Sequence, residues 1–303
     1  VGALSKYLTL ITTNKTYNRI RKKIWKISGK IPLFSKFIRF FLKKTEKAIK
    51  GSITPGGLFE DLGLRYIGPI DGHNLKDLIR AFESVKEMNT PVLLHVYTKK
   101  GKRISVSEKD SIGYYSLSGS KNIKQNNLPF DYSKVFGLSL KKMVKNYDNL
   151  VCVTAAMEIG TGLNIFSKHN KDKFIDVGIA EEHAVTYAAG LAAAGKKPIV
   201  ALYSTFFQRA FDQVFHDVLL QKLPVIFCLD RSGLVGPDGP THHGVFDISM
   251  MNSLPGIVIA APKDGNELDN LLFTALESNV PFCIRYPKSN SINYNQTNIS
   301  KIL

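Results

Sequence analysis

The sequence predicts an α/β protein: a mostly parallel sheet flanked by helices, with a partial first domain and a complete second one. Three observations predict it. From residue 130 to residue 286, strand-sized apolar runs alternate with stretches of helical periodicity. The longest apolar runs, 198–202 and 224–229, are strand-sized, far short of a transmembrane helix. Finally, three successive strands end in Glu181-Glu182-His183, Tyr203-Ser204-Thr205-Phe206 and Asp230-Arg231-Ser232-Gly233. Open α/β sheets place ligands at the carboxyl ends of parallel strands, so this edge is the expected active-site edge.

Taken in order, residues 58–105 read as helix, turn, helix and strand. The second helix, 75–88, has helical periodicity, and 92–97 is a β-branched strand ended by Lys99-Lys100-Gly101. Residues 106–129 are polar, rich in Gly, Ser and Asn, and read as an interdomain linker. A helix begins at Phe130, followed by strand 150–154, helix 161–169, strand 174–179 and the small-residue helix 181–195. Strand 198–202, helix 206–221 and strands 224–229 and 257–260 follow, and helix 265–278 and strand 282–286 close the core. The expected domains are 1–120, the end of a first domain; 121–290, a complete second domain; and 291–303, a linker leading out. There are no internal repeats.

Composition is ordinary for a globular protein, 44% hydrophobic and 22% charged over 303 residues. The net charge of +16 suggests nucleic acid until it is localised: residues 1–50 hold 14 Lys/Arg against Glu46 alone. The remaining 253 residues carry a net of only +3, and Lys outnumbers Arg 32 to 9, a bias that AT-rich coding explains as well. No nucleic-acid or membrane partner is therefore expected. Within the basic segment 16–50, Gly29 and Pro32 separate two amphipathic pieces. They read either as a surface for an anionic partner or as helices packing Ile, Leu and Phe on the body, and the second reading is preferred. Cys152, Cys228 and Cys283 sit in apolar strand-like runs, which suits buried reduced thiols. The opening Val-Gly-Ala-Leu-Ser-Lys-Tyr lacks an initiator Met, so the chain is expected to be a fragment.

Glu181 is the first candidate for chemistry, a carboxylate at a strand end beside a helix N-terminus that favours negative charge. By itself it reads equally as a helix N-terminal acid. His242-His243 reads as a proton-transfer pair or as a surface pair, and with no Cys or third His nearby a metal site is not expected.

The motifs together resemble a known family. Glu181-x-His183, Tyr203-Ser-Thr-Phe-x-Gln-Arg-Ala-x-Asp-Gln and Asp230-Arg-x-Gly-x-Val-Gly-x-Asp-Gly-x-Thr-His-x-Gly resemble the 1-deoxy-D-xylulose-5-phosphate synthases. These are thiamine-diphosphate enzymes of the transketolase superfamily. Gly-Pro-Ile-Asp-Gly-His at 68–73, Tyr-Thr-Lys-Lys-Gly at 97–101, Ala-Met-x-x-Gly-Thr-Gly at 156–162 and Arg-Tyr-Pro at 285–287 extend the likeness in the family's order over nearly the whole chain.

The resemblance implies a thiamine-diphosphate-binding fold and a homodimer. It implies that Glu181 meets N1′ of the aminopyrimidine and that Phe206 stacks on that ring, with Lys100 and Met157 beside the cofactor. His242, His73 and Asp238 would be catalytic. Tyr203, Arg209, Arg231 and Arg285 would bind the acceptor's phosphate, a task suited to arginine's fork. The implied reaction joins pyruvate to D-glyceraldehyde 3-phosphate with loss of CO₂, opening the methylerythritol phosphate route to isoprenoids. Mg²⁺ is expected through a Gly-Asp-Gly…Asn element that family members carry upstream of the residues matching Val1–Tyr7 here, so no metal ligand is assigned within this chain.

The sequence also departs from the family. Gly101 is followed by Lys102-Arg103-Ile104 where a second glycine is usual, and Ala-Met-Glu-Ile-Gly replaces Ala-Met-x-Glu-Gly, which leaves Glu158 without an assigned role. Rival readings are a transketolase or the β-subunit of a 2-oxoacid dehydrogenase and, from another class, a basic interaction module without catalysis. The Lys/Asn/Ile bias suggests an apicoplast-like plastid, with a bacterial cytoplasm as the alternative.

Overall fold

The computed structural model describes residues 56–105, 108, 130–291, 294 and 300–302. The basic segment 16–50, the expected linker 106–129 apart from Glu108, and most of the tail 291–303 lie outside the described residues. The chain divides into two compact units, Val1–Lys121 and Asn122–Leu303.

In the first unit, α1 (Gly57–Asp61) leads into β1 (Arg65–Asp71), α2 (Leu75–Lys86) and β2 (Val92–Tyr97). β1 and β2 pair in parallel, which requires a crossover, and α2 supplies it. Asn74 caps α2 by accepting from the Asp77 amide at 3.3 Å, and Lys86 sits in the last turn, where the helix dipole favours a cation. Ile67, Ile70 and Ala81 form the small core. β1 corrects the sequence reading, which has a turn there. Gly68-Pro69 in its middle argues against a strand, but a register shift between Ile67 and Ile70 takes the proline out of the ladder.

The second unit holds a six-stranded sheet. Its strands are β3 (Leu150–Thr154), β4 (Phe174–Asp176), β5 (Lys197–Tyr203), β6 (Ile226–Asp230), β7 (Val258–Ala260) and β8 (Phe282–Arg285). The order is β4-β3-β5-β6-β8-β7, and every pairing is parallel. Because both faces are covered, the central strands are continuous apolar runs instead of alternating ones. Cys152, Ile199, Ala201, Ile226 and Ile284 pack with α3 (Tyr132–Met143) and α9 (Gly265–Ser278). Val153, Val200, Leu202, Phe227 and Leu229 pack with α5 (Glu181–Ala193) and the helical path 204–219.

α3 starts at Asp131, whose side chain accepts from the Lys134 amide at 2.7 Å, and ends in Lys141 and Lys142. It buries Val135, Phe136 and Leu140 completely. Each such side chain contributes about 1.5–3 kcal/mol by leaving water, and Phe136→Ala would cost roughly 3–5 kcal/mol once its cavity is included. α5 buries Ala184, Ala188, Ala189 and Ala192, so its backbone lies close against the sheet and its first residue is held at the strand ends.

Three expected elements are shorter or broken. The helix expected at 161–169 is only α4 (Asn164–Ser167), because Gly162 turns the chain at φ 79. The strand expected at 174–179 stops at Asp176, whose carboxylate accepts from the amides of Ala156 and Gly178 and bends the chain. The helix expected at 206–221 runs instead as α6 (Ser204–Phe207), a 3₁₀ turn (Gln208–Ala210), α7 (Phe211–Gln213) and a π-helical turn (Val214–Leu219). Ala210 breaks its regularity at φ −100 and ψ 14. The remaining short helix, α8 (Asp247–Asn252), precedes β7.

The chain leaves β3 outward to β4 and then crosses to β5 on β3's other flank. The carboxyl ends of β3 and β5 therefore bracket the point where the winding reverses, the usual ligand crevice of an open sheet.

Candidate active site

Glu181 opens α5 and is only 2% exposed. No side chain caps this helix end, and Glu181 stands in its first turn, where the helix dipole favours negative charge. Its partner is Arg209, whose Nη1 donates to Glu181 Oε1 at 2.6 Å. The same guanidinium lies 5.0 Å from the centre of the Phe206 ring. One arginine thus links a buried acid to an aromatic face, although the two are 25 residues apart in sequence.

Phe206 belongs to an aromatic group at the end of β5. Its ring is stacked with Tyr203 at 5.8 Å, and His242 meets it edge-on at 5.4 Å. The His242 ring is held through Thr241, whose hydroxyl lies 3.0 Å from Nδ1. The Thr205 hydroxyl donates to the Thr241 carbonyl at 3.2 Å, which ties the His242 loop to α6. Met157 is buried beneath this group, and its sulfur accepts from the Tyr203 amide at 3.2 Å.

Arg231 sits at the end of β6 in a left-handed backbone conformation, φ 59. Its Nη1 donates to the Gly160 carbonyl at 2.7 Å and to Asp230 Oδ1 at 3.1 Å, its Nε donates to Asp238 Oδ2 at 3.0 Å, and its guanidinium lies 3.8 Å above the Tyr203 ring. Asp230 is fully buried and accepts from the Ser133 hydroxyl at 2.6 Å. Burial pushes its carboxyl up to about 6, although Arg231 and Ser133 pull the other way. Burial would raise Asp238 too, but hydrogen bonds from Lys288 and Arg231 outweigh it and hold that carboxyl below its ordinary value. Tyr203 is raised by burial, with the Arg231 charge offsetting part of the effect. A Cβ at Gly160 would lie 1.6 Å from the Tyr203 hydroxyl oxygen, so only glycine lets the tyrosine reach this position.

Not every candidate residue joins the cluster. Arg209 lies on Glu181, and Arg285 makes a two-point contact with the buried Asp247 at 2.8 and 3.4 Å. His73 and Lys100 belong to the other unit, where His73 Nε2 accepts from the Lys99 amide at 2.8 Å. Glu158, left without a role by the sequence, accepts from the Ser167 hydroxyl at 2.5 Å. Sequence reasoning gave no role to Asp230, Gly160, Asp247 or Lys288. Asp230 and Gly160 stand within motifs already noticed and Lys288 adjoins one; Asp247 gave no signal beyond its type. Among the described residues, no group of three His, Cys, Asp or Glu could hold a metal ion.

Residues 129–292 match the family described as transketolase, pyrimidine binding domain, and residues 1–98 match the family described as 1-deoxy-D-xylulose-5-phosphate synthase. Proteins named 1-deoxy-D-xylulose-5-phosphate synthase are similar along almost the whole chain. The one from Syntrophus aciditrophicus is 46% identical over 96% of this chain and 46% of its own length. The one from Aquifex aeolicus is 47% identical over 95% of this chain and 46% of its own.

Over residues 129–292, the chain belongs to the transketolase pyrimidine-binding domain family.

It spans about half the length of these synthase relatives. A transketolase crystal structure from Campylobacter jejuni has the same fold at 18% identity, with a TM-score of 0.50 over 79% of this chain and 49% of that one. At this candidate site the donor set suits the aminopyrimidine end of thiamine diphosphate. It offers a buried carboxylate for a ring nitrogen, an aromatic face for a flat heterocycle and a thioether beside them.

Proposed function

We propose that this chain forms the pyrimidine side of a thiamine-diphosphate site in an enzyme that condenses pyruvate with D-glyceraldehyde 3-phosphate. The products are 1-deoxy-D-xylulose 5-phosphate and CO₂. The observation that supports this most is the buried Glu181 carboxylate brought beside the Phe206 face in a chain of this family.

When bound, the cofactor supplies the carbanion chemistry, and the protein supplies position and charge. Glu181 holds a proton against N1′ of the aminopyrimidine. Phe206 offers its face to the ring, worth about 0.5–1.5 kcal/mol beyond burial. His242, on a loop beside Phe206, moves a proton at the acceptor's carbonyl oxygen. Arg231 and Tyr203 receive the acceptor's phosphate, and Arg285 adds a second guanidinium. A second copy of the chain is the partner, a reading supported by the small-residue α5 and by Ile179 and Tyr187, which are exposed beside and on it.

The test is Glu181→Ala in the full-length protein, measuring thiamine-diphosphate binding and CO₂ release from pyruvate with and without the aldehyde. Loss of release by roughly a hundredfold or more is expected for a group acting on the cofactor in the transition state. Full retained activity with unchanged cofactor binding would remove Glu181 from the mechanism.

A further inference from the structure

Lys288 stands outside every role given so far, yet it completes a defined geometry. Asp238 is held by two cations at once: Oδ2 accepts from Arg231 Nε at 3.0 Å, and Oδ1 accepts from Lys288 Nζ. Arg231 and Lys288 are thus spaced to grip the two oxygens of one oxyanion. Arg231 cannot turn away, because Gly160, Asp230 and the Tyr203 face fix the rest of its guanidinium. The side chains of Asp238 and Lys288 are 20% and 36% exposed, so solvent reaches this side of the pair.

The segment carrying Asp238 is anchored at its base and has open space around its two glycines. Its base is fixed by reciprocal backbone bonds between Gly233 and Gly244, at 2.7 and 2.9 Å. Gly236 and Gly239 flank Asp238 with positive φ, and a Cβ at either would meet nothing within 4 Å. His242 lies three residues beyond Gly239 in the same loop. The charges also balance. Arg231 and Lys288 supply two positive charges against the carboxylates of Asp230 and Asp238, so withdrawing Asp238 leaves a positive site open to an anion.

We propose that Asp238 is an internal stand-in for phosphate: it fills an anion site made by Arg231 and Lys288, and an incoming phosphoryl group displaces it and frees the loop that bears His242. A phosphate monoester carries about −1.5 to −2 charges at pH 7 and three acceptor oxygens, against one charge and two oxygens for the carboxylate. It therefore outbids the aspartate for the same two cations, and acceptor binding is coupled to the position of His242. The proposal rests on the reading of Arg231 as the residue that meets the acceptor's phosphate, and it adds Lys288 to that site and a regulatory part for Asp238.

The experiment is a calorimetric titration of the full-length protein with inorganic phosphate at fixed ionic strength. Wild type is compared with Asp238→Asn, Asp238→Ala and Lys288→Met. Removing the internal competitor is expected to tighten phosphate binding roughly three- to tenfold, the scale of one partly exposed ion pair, and Lys288→Met is expected to weaken it by a similar factor. In the wild type, which carries no folding risk, saturating phosphate is expected to speed amide exchange across residues 234–243. Equal affinity in all four proteins (an adventitious ion only), weaker binding in the Asp238 variants, or exchange in this loop that phosphate leaves unchanged would each overturn the proposal. The titration needs neither cofactor nor turnover, so its failure is distinct from a failure of the Glu181 test.

Discussion

Arg209 and Glu181 form an ion pair at 2.6 Å in which the acid is buried and the base is half exposed, at 49%. The arginine is therefore the solvent-side cover of a carboxylate that has lost its own water. Arg209→Met leaves that carboxylate unpaired and is expected to cost roughly 1–3 kcal/mol, the penalty for orphaning a buried polar group. Arg209→Lys keeps the charge and is expected to recover more than half. Urea midpoints of the two variants against wild type measure this, and identical midpoints for all three would sink it.

Asp230 makes stability depend on pH in an unusual direction. Its folded-state carboxyl is raised to about 6 from an ordinary 3.8, so between these values the folded chain binds the extra proton. Its contribution is greatest at the acid end and falls as pH rises through this window, by on the order of 3 kcal/mol. Asp230→Asn removes the titration. The variant's unfolding free energy relative to wild type is expected to rise from pH 4 to pH 7. A difference that stays flat across that range would show that burial does not shift this carboxyl.

Gly160→Ala drives a methyl group into the Tyr203 hydroxyl, the face on which Arg231 rests. Overpacking of this kind costs about 1–3 kcal/mol. Tyr203→Phe removes the colliding oxygen, so the double variant is expected to be more stable than the sum of the two single changes. Thermal midpoints of the four proteins complete the cycle, and strict additivity would count against the contact.

Cys152, Cys228 and Cys283 are buried, and burial pushes all three thiols above their ordinary range. A thiol-specific disulfide reagent is expected to find none of the three in the folded protein and all of them after unfolding. Rapid labelling at native urea concentrations would refute their placement between helices and sheet.

The sheet was legible where burial alone decides the pattern. Strands such as 150–154 and 226–230 are apolar throughout, and no other arrangement buries both faces of runs that short. Legibility failed where backbone irregularity decides. β1 hides behind Gly68-Pro69, and the path 204–219 changes its hydrogen bonding three times without any change in hydrophobic period. In the site, residue types and motif order pointed to Glu181, Phe206, Arg231 and His242. Partners could not be read the same way. Arg209 and Arg231 look alike in sequence, and only the fold sets one on Glu181 and the other between Asp230 and Asp238.

The lateral margins of the six-stranded sheet are its two shortest strands, Phe174–Asp176 and Val258–Ala260. Each gives a foreign strand only three residues of backbone to grip, too few to propagate a ladder. The long, cohesive strands that would template fibre growth are all sealed inside. Lateral polymerisation is thereby blocked at both margins, and on one of them the exposed Asp176 adds a charge that a foreign strand would have to bury.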